Sequence, residues 1–155
     1  MCYQGIDTCR QACGGAGYSA HSLLPSIFLD YSPVVTYEGD TTVMAKQNLS
    51  YIQKLLSQIK KGKPATASLS YLNDLDKLCA AKSQAKTVAE FSDLAFLDLA
   101  LSVRAAYSVR RTIAKIDGST ENKKVVFNDK CAQDIIKMSK VHMLYQTFKL
   151  TYDEI

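Results

Sequence analysis

Between Asp40 and Pro64 the apolar residues Ala45, Leu49, Ile52, Leu56 and Ile59 follow one another at alternating steps of four and three. That spacing lines one side of a helix, whereas a strand would send alternate residues to opposite faces. Asp40 is suited to cap the start. At the other end Lys60 and Lys61 suit the negative pole of the helix dipole, Gly62 can adopt the left-handed cap, and Pro64 forbids continuation. Cys131, Ile135, Met138, His142 and Tyr145 repeat the rhythm. They predict a last helix from about Asn128 to Tyr152 and make His142 a core or boundary residue rather than a catalyst.

The segments between these stripes also read as helical. Ile6, Cys9 and Cys13 suggest a short helix over 3–13 that stops at Gly14-Gly15, with Cys9 and Cys13 as packing residues. A second short helix is expected from about Ser22 to Tyr31, with Pro25 in its first turn and Pro33 ending it. Residues 65–76 read as a packed connecting segment. Thr87 and Glu90 form a capping-box pattern, so one long helix is expected from there to about Ile116, apolar on most sides between Phe91 and Ala106. Residues 117–124 read as a solvated turn. The expected class is all-α.

The 155 residues are 47% hydrophobic and 22% charged, enough for one globular domain burying roughly 70% of its unfolded-chain surface. A net charge of +4 is too mild to argue for nucleic acid. The basic runs Lys60, Lys61, Lys63 and Arg110, Arg111 lack interleaved aromatics and read as solvated helix ends. Five cysteines without Cys-x-x-Cys spacing, and only two histidines, make a metal site improbable and a reducing compartment the simplest setting. No apolar run approaches the roughly 20 residues of a membrane span. The terminal Tyr-Asp-Glu-Ile is not a peroxisomal tripeptide of the Ser-Lys-Leu type. A chain that opens and closes within helical patterns looks like a piece of something larger.

Two local features invite chemistry. The glycines of "GGAGY" (14–18) could let a backbone approach a pyrophosphate, but they follow a helix rather than a strand and lack the Gly-x-Gly-x-x-Gly spacing. Taken alone, they read better as a helix cap and tight turn. In "VVTYEGDTTV" (34–43), Glu38 either favours the dipole of the following helix or, at the end of an apolar run, is poised as a general base. No histidine has the partner pattern that would mark an activated serine or cysteine.

Side by side, these features resemble the C-terminal part of the acyl-CoA dehydrogenase and oxidase superfamily. Gln11, Gly14, Gly15, Gly17 and Tyr18 match a Gln-x-x-Gly-Gly-x-Gly-aromatic segment, and Tyr37-Glu38-Gly39 matches the aromatic-Glu-Gly loop that follows it. "ACGGAGYSAHSLLP", "TYEGDTTVM" and "SYLNDL" are similar to the peroxisomal type of acyl-CoA oxidase. The likeness is specific over about 5–75 and general beyond. Asp40-Thr41-Thr42 departs from the dehydrogenase pattern Glu-Gly-Thr-x-Gln, and oxidases often carry Asn where Thr41 stands.

The resemblance implies a helical bundle of the acyl-CoA dehydrogenase C-terminal type, incomplete at both ends. In it, residues 1–64 carry the Gly-Gly turn and the Glu loop, and 65–155 continue the helical region. It further implies an FAD-dependent oxidase in which Glu38 takes the α-proton of a fatty acyl-CoA, the β-hydrogen leaves as hydride to FAD, and O2 is reduced to H2O2. Tyr37 and Gly39 would lie beside the substrate, while Gln11, Gly14, Gly15, Asp40 and Thr42 would contact FAD. Gly39 would keep bulk away from the reacting carbons, and Val34-Val35 would limit water around the Glu38 carboxylate. A homodimer sharing the FAD site and a peroxisomal location are implied too. The alternatives are a dehydrogenase that uses an electron-transfer flavoprotein, or a non-catalytic helical interaction module. Without the flavin-holding barrel of the family, a chain of this length should bind FAD weakly or not at all.

Overall fold

The computed structural model describes residues 2–37, 39–83 and 85–152. No strand occurs among them, as the two stripes require. They fall into two compact units, Met1–Met44 and Ala45–Ile155.

The first unit contains α1 (Cys2–Ala12), a tight 3-10 turn over Gly14–Tyr18, a second over Ala20–Ser22, α2 (Leu24–Tyr31) and a third turn over Ser32–Val35. Pro25 sits in the first turn of α2, where its missing N–H costs nothing. Helices α1 and α2 pack together, with the Tyr3 and Phe28 rings 5.0 Å apart. The half-buried face of α1 is Tyr3, Ile6, Asp7 and Arg10, spaced i, i+3, i+4, i+7. Cys9 and Cys13 lie off that face and are exposed, contrary to the packing role expected of them. The error came from choosing the stripe by apolar residues alone: the face that packs includes an aspartate and an arginine, which neutralise each other.

Helix α3 (Thr41–Ile59) begins and ends as its caps dictate. The Asp40 carboxylate accepts from the N–H groups of Thr42 (2.8 Å) and Val43 (3.3 Å). At the far end Gly62 takes φ +80°, and the N–H groups of Gly62 and Lys63 close on the carbonyls of Ile59 and Gln58.

In the second unit, Ala45, Leu49 and Ile52 of α3 are buried and Leu56 and Ile59 are partly so. The segment expected to be packed is a 3-10 stretch, Ala67–Asp74, that buries Tyr71 and Leu72. It leads into α4 (Leu75–Ala80), a short helix not expected from the sequence.

The helix expected from Thr87 is broken in two. The Thr87–Glu90 capping box forms, but it starts only the single turn α5 (Val88–Phe91). Asp93 then adopts an extended backbone, its carboxylate accepts from Phe96 N–H at 3.3 Å, and the long helix α6 (Leu94–Asp117) starts afresh. Two good N-caps six residues apart compete, and both are used. Phe91, Leu94 and Leu99 remain exposed, so the apolar run at the start of α6 is not enclosed as expected. Burial begins at Ser102 and continues through Ala105, Ala106, Val109, Thr112 and Ile116.

Asn122 caps α7 (Lys123–Val125), which widens into a π turn over Val126–Lys130 before α8 (Ala132–Tyr152). The Cys131 N–H reaches back five residues to the Val126 carbonyl (2.8 Å). That extra residue per turn lets Val126 and Cys131, 2% and 1% exposed, both enter the core. All five residues of the last stripe are buried, and α8 packs chiefly against α6.

His142 is a core residue, as its spacing predicts. Its Nδ1 lies 2.6 Å from the Tyr71 hydroxyl, and the Tyr145 ring meets Tyr71 edge-on at 5.1 Å. Burial pushes the His142 pKa down to about 4, so the ring is neutral in the fold, and burial pushes that of Tyr71 up. Because the folded value lies below the ordinary 6.5, the unfolded chain gains a proton first as pH falls. The stability linked to His142 is complete above pH 6.5 and drains away down to about pH 4, by about 3 kcal/mol. Urea denaturation at pH 7.5 and pH 4 should show a larger loss for the wild-type chain than for His142→Gln. Equal losses would mean that the ring does not titrate as a buried group.

Candidate functional site

The first unit holds every residue singled out for chemistry. Gly14 follows α1 with φ +55°, a left-handed conformation that ends the helix. Gly17 is buried for a different reason: a Cβ there would sit 1.9 Å from the Arg10 carbonyl oxygen. The turn folds directly onto the last part of α1, and only glycine permits that approach.

Arg10, which the sequence reading passed over, holds the turn in place. Its guanidinium lies 4.6 Å from the Tyr18 ring centroid and 5.0 Å from that of Phe28, joining the turn to α2. It is oriented by an ion pair with Asp7 at 2.6 Å, and hydrogen bonding to that carboxylate raises its pKa further. The other Asp7 oxygen accepts from the Gln11 amide at 2.8 Å. Asp7, Arg10 and Gln11 thus form one small network on consecutive turns. The i, i+3, i+4 spacing of these residues was the available signal.

Gly15 stands apart. No atom lies within 4 Å of where its Cβ would be, and its φ is not in the left-handed region. Nothing within the unit demands glycine at this position. Gly14 likewise faces open space, although its φ explains it.

The second candidate loop follows α2. Thr36 and Tyr37 N–H both donate to the Pro33 carbonyl, and Gly39 N–H donates to that of Thr36 at 3.0 Å. The Thr41 hydroxyl donates to the Val35 carbonyl at 3.1 Å. Gly39 has φ +121°, which L side chains rarely adopt, while its nearest neighbour would be Met44 Sδ at an ordinary 3.5 Å. Conformation rather than space requires glycine here. Glu38 lies outside the described residues. Tyr37 is exposed, and so are Val34 and Val35, which therefore do not by themselves dry the loop.

Asp40 and Thr42 have a structural role. Thr42 and Val43 hold the Asp40 carboxylate below the usual range, with the Thr42 N–H contributing most. Among the described residues no group of three or more His, Cys, Asp or Glu could hold a metal ion, and no helix is long and apolar enough to cross a membrane.

Among the described residues, the helical architecture and the glycine turn packed on α1 agree with the resemblance to the acyl-CoA dehydrogenase and oxidase C-terminal type. Comparison with known proteins narrows the class. Residues 1–53 match the family model for the acyl-CoA oxidase C-alpha1 domain. The chain is 32% identical to mouse peroxisomal acyl-coenzyme A oxidase 1 over 157 aligned residues, 97% of this chain and 24% of that protein. It is 33% identical to the bovine protein of the same name over 159, again 97% and 24%. An acyl-CoA oxidase structure from tomato superposes with a TM-score of 0.82 at 28% identity, over 93% of this chain and 22% of that one. One from Yarrowia lipolytica gives 0.75 at 27%, over 94% and 21%. Over nearly its whole length the chain is similar to acyl-CoA oxidases, and it spans about a quarter of the length of these relatives. Similarity extends well past residue 75, to nearly the whole chain.

The glycines give a direct test of the local account. Gly17→Ala should destabilise the chain by roughly 1–3 kcal/mol in denaturant unfolding, because backbone must move. Gly15→Ala should stay within about 0.5 kcal/mol of wild type. Equal effects would contradict the division of roles.

Proposed function

We propose that this chain supplies the helical part of an FAD-dependent acyl-CoA oxidase of peroxisomal fatty acid β-oxidation. The reaction would convert a fatty acyl-CoA to trans-2-enoyl-CoA and reduce O2 to H2O2. One observation carries the reading: the Gly-Gly turn and the Tyr37-Glu38-Gly39 loop occur together in a chain related over 97% of its length to peroxisomal acyl-coenzyme A oxidase 1.

The residues present fit the cofactor at the turn. Gly15 lacks a side chain for no internal reason, and both Gly14 and Gly15 face open space. This is the arrangement a phosphate needs to reach backbone N–H groups that a Cβ would screen. Gln11, Gly14 and Gly15 would hold FAD, and bound FAD would supply the two-electron oxidising power. Gln11 is presented by Asp7, which fixes its amide. Asp40 Oδ1 is taken up by the α3 cap, so a cofactor contact from Asp40 would fall to its other oxygen, and Thr42 would act by fixing that carboxylate. A homodimer follows if the same turn reaches a cofactor held mainly by a second subunit.

Glu38 is the proposed base, receiving the α-proton of the acyl thioester on its carboxylate as the Cα–H bond breaks. Tyr37 and Gly39 flank it, and the missing side chain of Gly39 leaves room for the reacting carbons. The N–H of Gly39 donates to the Thr36 carbonyl. Water exclusion must come from groups beyond Val34, Val35 and Tyr37, which are exposed.

In the flavin-loaded enzyme, Glu38→Gln should abolish exchange of the substrate α-proton with solvent, a loss on the order of 100-fold or more, while leaving flavin absorbance intact. Undiminished exchange would sink the assignment.

A further inference from the structure

Helices α6 and α8 line a cleft of about 100 Å³. Its walls are Ser108, Arg111, Thr112 and Lys115 from α6, and Asp134 and Lys137 from α8. The α6 residues recur at i, i+3, i+4, i+7, so one polar face of that helix lines the cleft beside its buried apolar face.

Thr112 is the unusual member. It is only 4% exposed, yet its hydroxyl has no hydrogen-bond partner among the described residues. The helical hydroxyls of Ser50, Ser57, Thr147 and Thr151 bond back to the carbonyl four residues earlier. Thr112 does not. Nor is its oxygen sealed off, since the one enclosed side-chain atom without a partner among the described residues is Asp98 Oδ1. Thr112 is therefore a buried residue whose uncommitted hydroxyl is reachable from the cleft it lines.

The charges in the cleft are unequal. Lys115 pairs with Asp134, and its hydrogen bond is the main reason that carboxylate is held below the usual range, with Arg111 and Lys137 adding to the effect. Asp134 is thereby neutralised. Arg111 and Lys137 have no hydrogen-bond or ion-pair partner among the described residues. Two uncommitted cations of different shape, with a hydroxyl donor between helices, match a tetrahedral oxyanion better than a simple halide.

We propose that the α6–α8 cleft is a binding site for a phosphate-class oxyanion, held by the Arg111 guanidinium, the Lys137 ammonium and the Thr112 hydroxyl. This site does not rest on the acyl-CoA reading. Its ligand is a free phosphate ion or the terminal phosphate of a phosphomonoester.

The test is a calorimetric titration of the full chain with inorganic phosphate at ionic strength held constant with chloride, repeated with phenyl phosphate. Saturable one-to-one binding is expected. Arg111→Gln and Lys137→Gln should each weaken it by roughly tenfold or more, and Thr112→Val, which keeps the shape, should weaken it severalfold. The double variant Lys60→Gln, Lys61→Gln removes the same charge elsewhere and should bind as wild type. Circular dichroism would verify that the variants are folded, as expected for exposed Arg111 and Lys137. Tighter binding of the monoester would mark a larger phosphorylated ligand, and tighter binding of inorganic phosphate the free ion; either supports the site. Non-saturable binding, wild-type affinity in the cleft variants, or equal loss in the Lys60/Lys61 control would overturn it.

Discussion

The second unit depends on the close approach of α6 and α8. Ala105, Ala106 and Val109 on one helix and Ile135 and Met138 on the other are all fully buried, and the two alanines keep side-chain bulk out of the seam. Each large apolar side chain removed from water contributes about 1.5–3 kcal/mol, so this seam outweighs any of the exposed ion pairs. The other elements of the unit are arranged around it. Tyr71 is brought to His142, the π turn delivers Val126 and Cys131 together, and Leu49 and Ile52 of α3 join the same cluster.

The first unit is organised by polar contacts and by glycine instead. Gly14 ends a helix, Gly17 admits a backbone carbonyl, and Arg10 ties the turn to two aromatic rings. Once those roles are assigned, Gly15 remains as the position where local structure needs nothing special. Separating glycines that build the turn from the one left over makes a family motif physically specific. The same reasoning divides the Glu38 loop: Gly39 is required by its φ, and Asp40 by the start of α3.

How far the sequence could be read depended on how each element is determined. Helices α3 and α8 were legible because their stripes and the caps of α3 are written in consecutive residues. The face of α1 was misread because an Asp7–Arg10 pair can pack where apolar residues were expected. The break at Ser92–Asp93 went unseen because a capping box says where a helix starts and not how long it runs. Helix α4 is too short to show a period. Gly17 and Arg10 became meaningful only with coordinates, since the 1.9 Å approach involves a backbone atom seven residues away. The proposed role of Glu38 came from resemblance, since local rules left it between a dipole partner and a base.

The most direct measurement is a crystal structure of the flavin-loaded protein with a non-reactive fatty acyl-CoA analogue bound. The account predicts the Glu38 carboxylate within about 3–3.5 Å of the acyl α-carbon, and the open side of Gly14-Gly15 occupied by FAD. Another carboxylate at the α-carbon, or an empty space over Gly15 with FAD bound elsewhere, would contradict it.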